Sequence, residues 1–97
     1  MIRWFKDAGT EDIFNGIDSK SARKSCPPSL WRIARRKLDQ IDSAETLEDL
    51  RVPPGNRLEA LRGSRRGQHS IRINDRYRIC FVWTEAGPED VEIVDYH

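Results

Sequence analysis

The spacing of the apolar residues changes once along this chain, and that change limits the folds open to it. Leu30, Ile33, Ala34, Leu38 and Ile41 recur every three or four positions, with Arg32, Arg35, Arg36 and Asp39 between them. On a helix these two sets fall on different faces, one apolar and one charged. After Asn56 the recurrence shortens to every second residue, punctuated by the turn-forming runs "GSRRG", "ND" and "TEAGPE". Such alternation belongs to half-buried strands, which the spacing predicts at about 57–62, 68–73, 76–83 and 90–96.

Two further elements precede the main helix. Ile2, Trp4 and Phe5 predict a short opening strand. Thr10 in the N-cap position, Glu11 and Asp12 in the first turn and Gly16 at the end predict a brief helix over 10–16. The stretch "IDSKSARKSC", residues 17–26, is polar, Ser-rich and aperiodic, and is expected to be a mobile loop. Pro27 and Pro28 lead into the main helix, and "SAETLEDLRVPPGN" carries the chain out of it through a Pro-Pro-Gly break. The order β-α-α-β-β-β-β indicates an α+β domain, with the N-terminal strand and two helices packed on a mainly antiparallel sheet. A chain of 97 residues has room for one modest core, so a single domain over residues 1–97 is expected.

Composition removes several classes. Hydrophobic residues make up 37% and charged residues 34%, which is polar for a globular chain but not the profile of a disordered one. No stretch approaches the roughly 20 apolar residues of a membrane span. The opening "MIRWFKDAGT" lacks the apolar core of a signal peptide, so the cytoplasm is the expected compartment, with no membrane partner. Cys26 and Cys80 lie in no C-x-x-C pair and suggest neither a disulfide scaffold nor a zinc site; Cys80 reads as a small core residue and Cys26 as a loop thiol. The phosphate-binding G-x-x-x-x-G-K-[ST], the dinucleotide G-x-G-x-x-G and the zinc-binding H-E-x-x-H are absent, and neither metal nor cofactor is expected.

Charge is informative only when resolved along the chain. Residues 51–78 hold Arg51, Arg57, Arg62, Arg65, Arg66, Arg72, Arg76 and Arg78 against Glu59 and Asp75, a local excess of six. Residues 79–97 reverse the sign, with Glu85, Glu89, Asp90, Glu92 and Asp95 and no Lys or Arg. Arginines suit bidentate phosphate contacts because the guanidinium fork stays charged and pre-organised. A solvated basic face, or edge charge paired with the acidic last segment, explains the same residues without a phosphate ligand.

The segment "VEIVDYH" brings Asp95, Tyr96 and His97 together. On a regular strand Asp95 and His97 share a face while Tyr96 takes the other. A carboxylate beside an imidazole fixes its tautomer and favours the charged form, as a general acid requires. On strand 76–83 the large apolar residues Tyr77, Ile79, Phe81 and Trp83 are expected to face the helices, leaving Arg78 on the opposite face. Arg62, beside Gly63, is placed where a cation can lean into a cleft. Glu59 is either a general base or a salt-bridge partner within the block. His69, ahead of Ile71 and Ile73, reads as a structural or substrate-edge group rather than a metal ligand.

The run "PPGNRLEALRGSRRGQHSIRINDRYRICFVW" followed by "VEIVDYH" resembles the HigB branch of the RelE-like toxins, closely over about residues 50–97 and loosely before that. The resemblance implies a small α+β ribonuclease fold of the RelE-like microbial type. It further implies a metal-independent endoribonuclease that cuts messenger RNA, typically in the ribosomal A site, and inhibition by a HigA-like helix-turn-helix antitoxin. Operator DNA would be reached only through that antitoxin. Carried over by residue, Asp95, Tyr96 and His97 match the family's active-site end, Arg62 a basic residue near the scissile phosphate, and Arg78 the arginine that stabilises it. Arg57, Arg65, Arg66, His69, Arg72 and Arg76 are the accompanying candidates for RNA contact. Some family members carry histidine where this chain has Glu59, which leaves the second proton-transfer role to Glu59, Asp95 or a water. The alternative from another class is a non-catalytic RNA-binding or regulatory subunit that uses the same arginines.

Overall fold

The first helix, α1 (Ala8–Asn15), is delimited by side-chain and backbone caps at its two ends. Its N-cap is Asp7 rather than Thr10, because the Asp7 carboxylate accepts from the Thr10 N–H at 2.7 Å. At the other end Gly16 takes φ 74°, and the Gly16 and Ile17 N–H groups donate to Ile13 and Asp12 carbonyls at 3.1 and 2.8 Å. That is the Schellman closure, for which glycine is favoured because it has no Cβ. The computed structural model describes residues 1–96.

The expected mobile loop is instead largely helical: α2 spans Lys20–Ser25. Ser19 caps it by accepting from the Ala22 N–H at 3.0 Å, and the Ser19 hydroxyl donates to Asp12 of α1 at 2.6 Å. One apolar side chain, Ala22, holds the helix to the core and is fully buried. Cys26 is buried as well, not an exposed loop thiol, and loss of solvation pushes its thiol up to about 11.

α3 (Trp31–Ser43) follows, burying Ala34, Leu38 and Ile41. Ile33 does not join them and is 36% exposed. At 3.6 residues per turn it sits roughly 100° from the centre of the buried stripe. Beyond α3, two short 3-10 turns (Leu47–Arg51 and Pro54–Asn56) bring the chain to the sheet. A capping box of Thr46 and Asp49 opens the first, and its backbone hydrogen bonds hold the Asp49 carboxyl below the usual range.

The sheet is antiparallel, in the order β1 (Glu59–Ala60), β2 (His69–Arg72), β3 (Tyr77–Thr84), β4 (Gly87–Asp95). The first strand is much shorter than the 57–62 expected, because 3-10 turns at Pro54–Asn56 and Gly63–Arg65 flank it. The opening segment contributes no full strand. It makes one parallel bridge, Phe5 to Val91, flanked by hydrogen bonds from Arg3 N to Pro88 O (2.8 Å) and Lys6 N to Val91 O (2.9 Å), along the outer side of β4.

Alternation decides which sheet face meets the helices. Ile71, Ile79, Phe81, Val91 and Ile93 are buried against Ile13, Ala22, Ala34, Leu38, Ile41 and Leu50. The observed class is therefore α+β, with helices on one face of a four-stranded antiparallel sheet. Among the described residues no helix is long and apolar enough to cross a membrane.

Candidate functional site on the open face of the sheet

The face of the sheet turned away from the helices carries the polar half of each alternating strand. Glu59 pairs with Ser70, Ser70 with Cys80 and Cys80 with Glu92, so these four form one row across all strands. Arg72, Arg78 and Val94 form the next row. Ser70 and Cys80 are fully buried beneath the charged side chains. Burial dominates at Cys80 and raises its thiol, although Arg65 and Arg78 act in the opposite direction.

Arg78 is held at two points. Its Nε donates to the Ser70 hydroxyl at 2.7 Å, and its Nη2 donates to the backbone carbonyl of Arg57 at 2.8 Å. Arg57 presents that carbonyl from a left-handed backbone, φ 47° and ψ 55°. The residue before it, Asn56, is fully buried. Its amide donates to Gln40 Oε1 at 3.0 Å and to the Leu50 carbonyl at 3.1 Å, and its oxygen accepts from Lys37 Nζ. Burial first, then Arg36 and Arg72, lower the Lys37 pKa.

Beside this row, Glu59, Ala60, Leu61, Arg62 and Tyr96 line a cleft of about 370 Å³. Tyr96 is 39% exposed, and its backbone N–H donates to the Arg76 carbonyl at 2.6 Å, continuing the end of β4. Arg62 and Tyr96, which the family resemblance assigns to catalysis, thus share one recess with Glu59, for which the sequence left a general base and a salt-bridge partner both open. Asp95 lies elsewhere. It follows Ile93 on the helix side, lines a separate depression with Asp7, Gly9 and Ser25, and accepts two bonds from Arg76 at 2.9 and 2.7 Å. The expected pairing of Asp95 with His97 cannot be placed, because His97 lies outside the described residues.

The remaining arginines divide by partner. Arg65 Nη1 donates to Glu92 at 2.8 Å and Gln68 at 3.1 Å, and the bond to Glu92 raises its pKa. Lys6 approaches the same carboxylate at 3.6 Å. Arg72 pairs with Asp75, and Arg76 with Asp95, whose hydrogen bond is the main reason the Arg76 pKa rises. Among the described residues Arg57, Arg62, Arg66 and Arg78 take part in no ion pair. His69 faces the helices, stacked on Phe81 with ring centroids 6.4 Å apart, and its buried Nδ1 has no hydrogen-bond partner. His69 thus lies on the helix side of β2, away from the open face that carries Arg72 and Arg78.

Sequence reasoning did not single out Ser70, Asn56 or Lys37. Ser70 left one trace, a small polar residue on the outward side of an apolar strand. Asn56 and Lys37 left none, because their contact spans 19 residues. A larger groove of about 560 Å³ lies in the helix layer, lined in part by Ile13, Ile17, Trp31 and Arg35, and contains none of the predicted catalytic residues.

The family model described as "RelE-like toxin of type II toxin-antitoxin system HigB" matches residues 3–97. The chain is 42% identical over 86 residues to Toxin HigB-1 of Vibrio cholerae serotype O1, covering 89% of this chain and 87% of that protein. It is also 42% identical over 57 residues to an uncharacterized protein of Haemophilus influenzae, covering 59% and 56% of the two chains. With an antiparallel sheet backed by helices and a match across nearly its whole length, the chain belongs to the HigB family of RelE-like toxins of type II toxin–antitoxin systems.

Proposed function

We propose that the protein is an endoribonuclease that cleaves messenger RNA on the ribosome, and that a HigA-like antitoxin with a helix-turn-helix domain restrains it. The observation that carries this reading is the recess holding Glu59, Arg62 and Tyr96 next to the anchored Arg78, with both arginines outside any ion pair among the described residues. RNA supplies its own nucleophile, the 2′-OH. Cleavage therefore needs a base to take the 2′ proton, cations to stabilise the phosphorane, and an acid to protonate the departing 5′ oxygen.

Within this scheme Glu59 is the base, Arg62 and Arg78 bind the phosphorane, and Tyr96 packs against a nucleobase. His97 is the acid, a role that rests on the family resemblance. The 2′ oxygen bonds to phosphorus as its proton passes to Glu59. The bond from phosphorus to the 5′ oxygen then breaks as that oxygen gains a proton, leaving a 2′,3′-cyclic phosphate and a 5′-hydroxyl. Asp95, whose two oxygens accept from Arg76, orients His97 in this scheme, the role that the family resemblance supports.

Controlled expression with mapping of RNA 5′ ends tests the proposal on wild type, Arg78→Ala and His97→Ala. Loss of a transition-state cation typically costs about 10²–10³-fold and loss of an acid or base about 10²–10⁴-fold. Each variant is expected to lose growth inhibition and new RNA ends. Wild-type cleavage by both folded variants would exclude the assignment. Toxicity without new RNA ends would instead indicate a binding module.

A further inference from the structure

Arg65, Arg72 and Arg76 are each fixed by a carboxylate, so their charge is largely met within the protein. Arg78 is fixed differently. Its partners are a neutral hydroxyl and a neutral carbonyl, which orient the guanidinium without cancelling its charge. We propose that Ser70 and the Arg57 carbonyl are positioning groups that hold Arg78 ready for a phosphate, an inference that rests on the assignment of Arg78 to the phosphate site.

The geometry supports this division of labour. Guanidinium carries five N–H donors in a rigid plane. The edge formed by Nε and Nη2 is spent on the two anchors, leaving two N–H groups of Nη1 and one of Nη2 for a ligand. Ser70 can serve as a fixed point because it is fully buried in the middle of the sheet, opposite Glu59 on one side and Cys80 on the other. The Arg57 carbonyl is aimed by a left-handed backbone that non-glycine residues seldom adopt. The bonds from buried Asn56 to Lys37, Gln40 and Leu50 hold the adjoining chain, which ties the anchor to α3. An arginine oriented in advance meets the charge that develops on the phosphorane without reorganising, so the anchor acts on the rate of the chemical step.

The test is a double-mutant cycle in the full chain, measured as single-turnover cleavage of end-labelled messenger RNA on programmed ribosomes. Ser70→Ala is expected to lower the rate at saturation about 10-fold, since small displacements of a positioned group cost on that order or more. KM should change by less than about twofold, because the anchor acts on orientation rather than on encounter. In the Arg78→Ala background, Ser70→Ala should slow cleavage by no more than about twofold. Wild-type rates for Ser70→Ala, or an equal loss with and without Arg78, would overturn the proposal. Arg78→Ala cleaving at the wild-type rate would remove the underlying site assignment as well, and is read separately in the same cycle. A second measurement needs only the wild-type protein: the Arg78 Nε–H resonance, assigned by its loss in Arg78→Lys, should exchange with solvent more slowly than that of exposed Arg62. Equal exchange would also overturn it.

Discussion

Glu59 and Asp95 illustrate how position separates two carboxylates, of which the sequence named Asp95 catalytic and left Glu59 as either a base or a salt-bridge partner. Glu59 lines the recess with Arg62 and Tyr96, while Asp95 is turned to the helix side and gripped by Arg76. Glu59→Gln keeps the shape and removes the proton acceptor, so cleavage should fall by about 10²-fold or more. Stability should stay within roughly 0.5 kcal/mol of wild type, because the residue is exposed and takes part in no ion pair among the described residues. Single-turnover rates and thermal melting check the two halves of this prediction. Cys26 behaves in the opposite way, as a purely structural group. Burial carries its thiol from 9.0 to about 11, so above pH 9 the unfolded chain gives up this proton while the folded chain retains it. Its contribution is complete below pH 9 and is lost as pH rises towards 11. Melting temperature should therefore fall over that range, less steeply in Cys26→Ala than in wild type. Native protein should resist iodoacetamide at neutral pH, and unfolded protein should not.

At the scale of elements, α2 is the clearest departure from the expected pattern. Six residues make fewer than two turns, too few to show a helical period, and only Ala22 is apolar and buried. What makes this segment a helix is contact with α1, through the Ser19 bond to Asp12 and the close approach of Gly9. A Cβ built on Gly9 would lie 2.3 Å from the Ser21 carbonyl oxygen, which is backbone and cannot swing aside. Gly9→Ala should therefore force the two helices apart. Overpacking of this kind costs about 1–3 kcal/mol, and denaturant unfolding should show a lowered midpoint with faster amide exchange in 20–25. The long helix, β2 and β3 were legible from their repeating pattern, whereas β4 begins at Gly87, inside the run "TEAGPE" expected as a turn, because Thr84, Trp83 and Val82 pair with Gly87, Pro88 and Glu89. The opening strand was not legible: apolar residues at Ile2, Trp4 and Phe5 predict extension but not partners, and only the edge of β4 decides that a single bridge forms.

Across the whole molecule the charge segregation seen in the sequence acquires a direction. The acidic last strand does not oppose the arginine block uniformly; Glu92 takes Arg65 and Asp95 takes Arg76. Arg57, Arg62, Arg66 and Arg78 remain outside ion pairs among the described residues. RNA affinity should accordingly weaken with salt, by about 0.7 in the log–log slope for each single-strand phosphate neutralised. Arg62→Ala should flatten the slope by about that amount in filter-binding titrations, and an unchanged slope would mean that Arg62 touches no phosphate. The sequence alone determined the α+β class, the inward face of β3, the inward positions Ala34, Leu38 and Ile41 of the main helix though not the exposure of Ile33, and the concentration of cations on 51–78, since these follow from local periodicity and composition. Tertiary structure alone decided that Glu59 rather than Asp95 enters the cleft, that His69 turns towards the helices, and that Ser70 and Arg57 hold Arg78. Each of those outcomes depends on strand register and on which edge meets which turn, and register is set by packing between residues far apart in the chain.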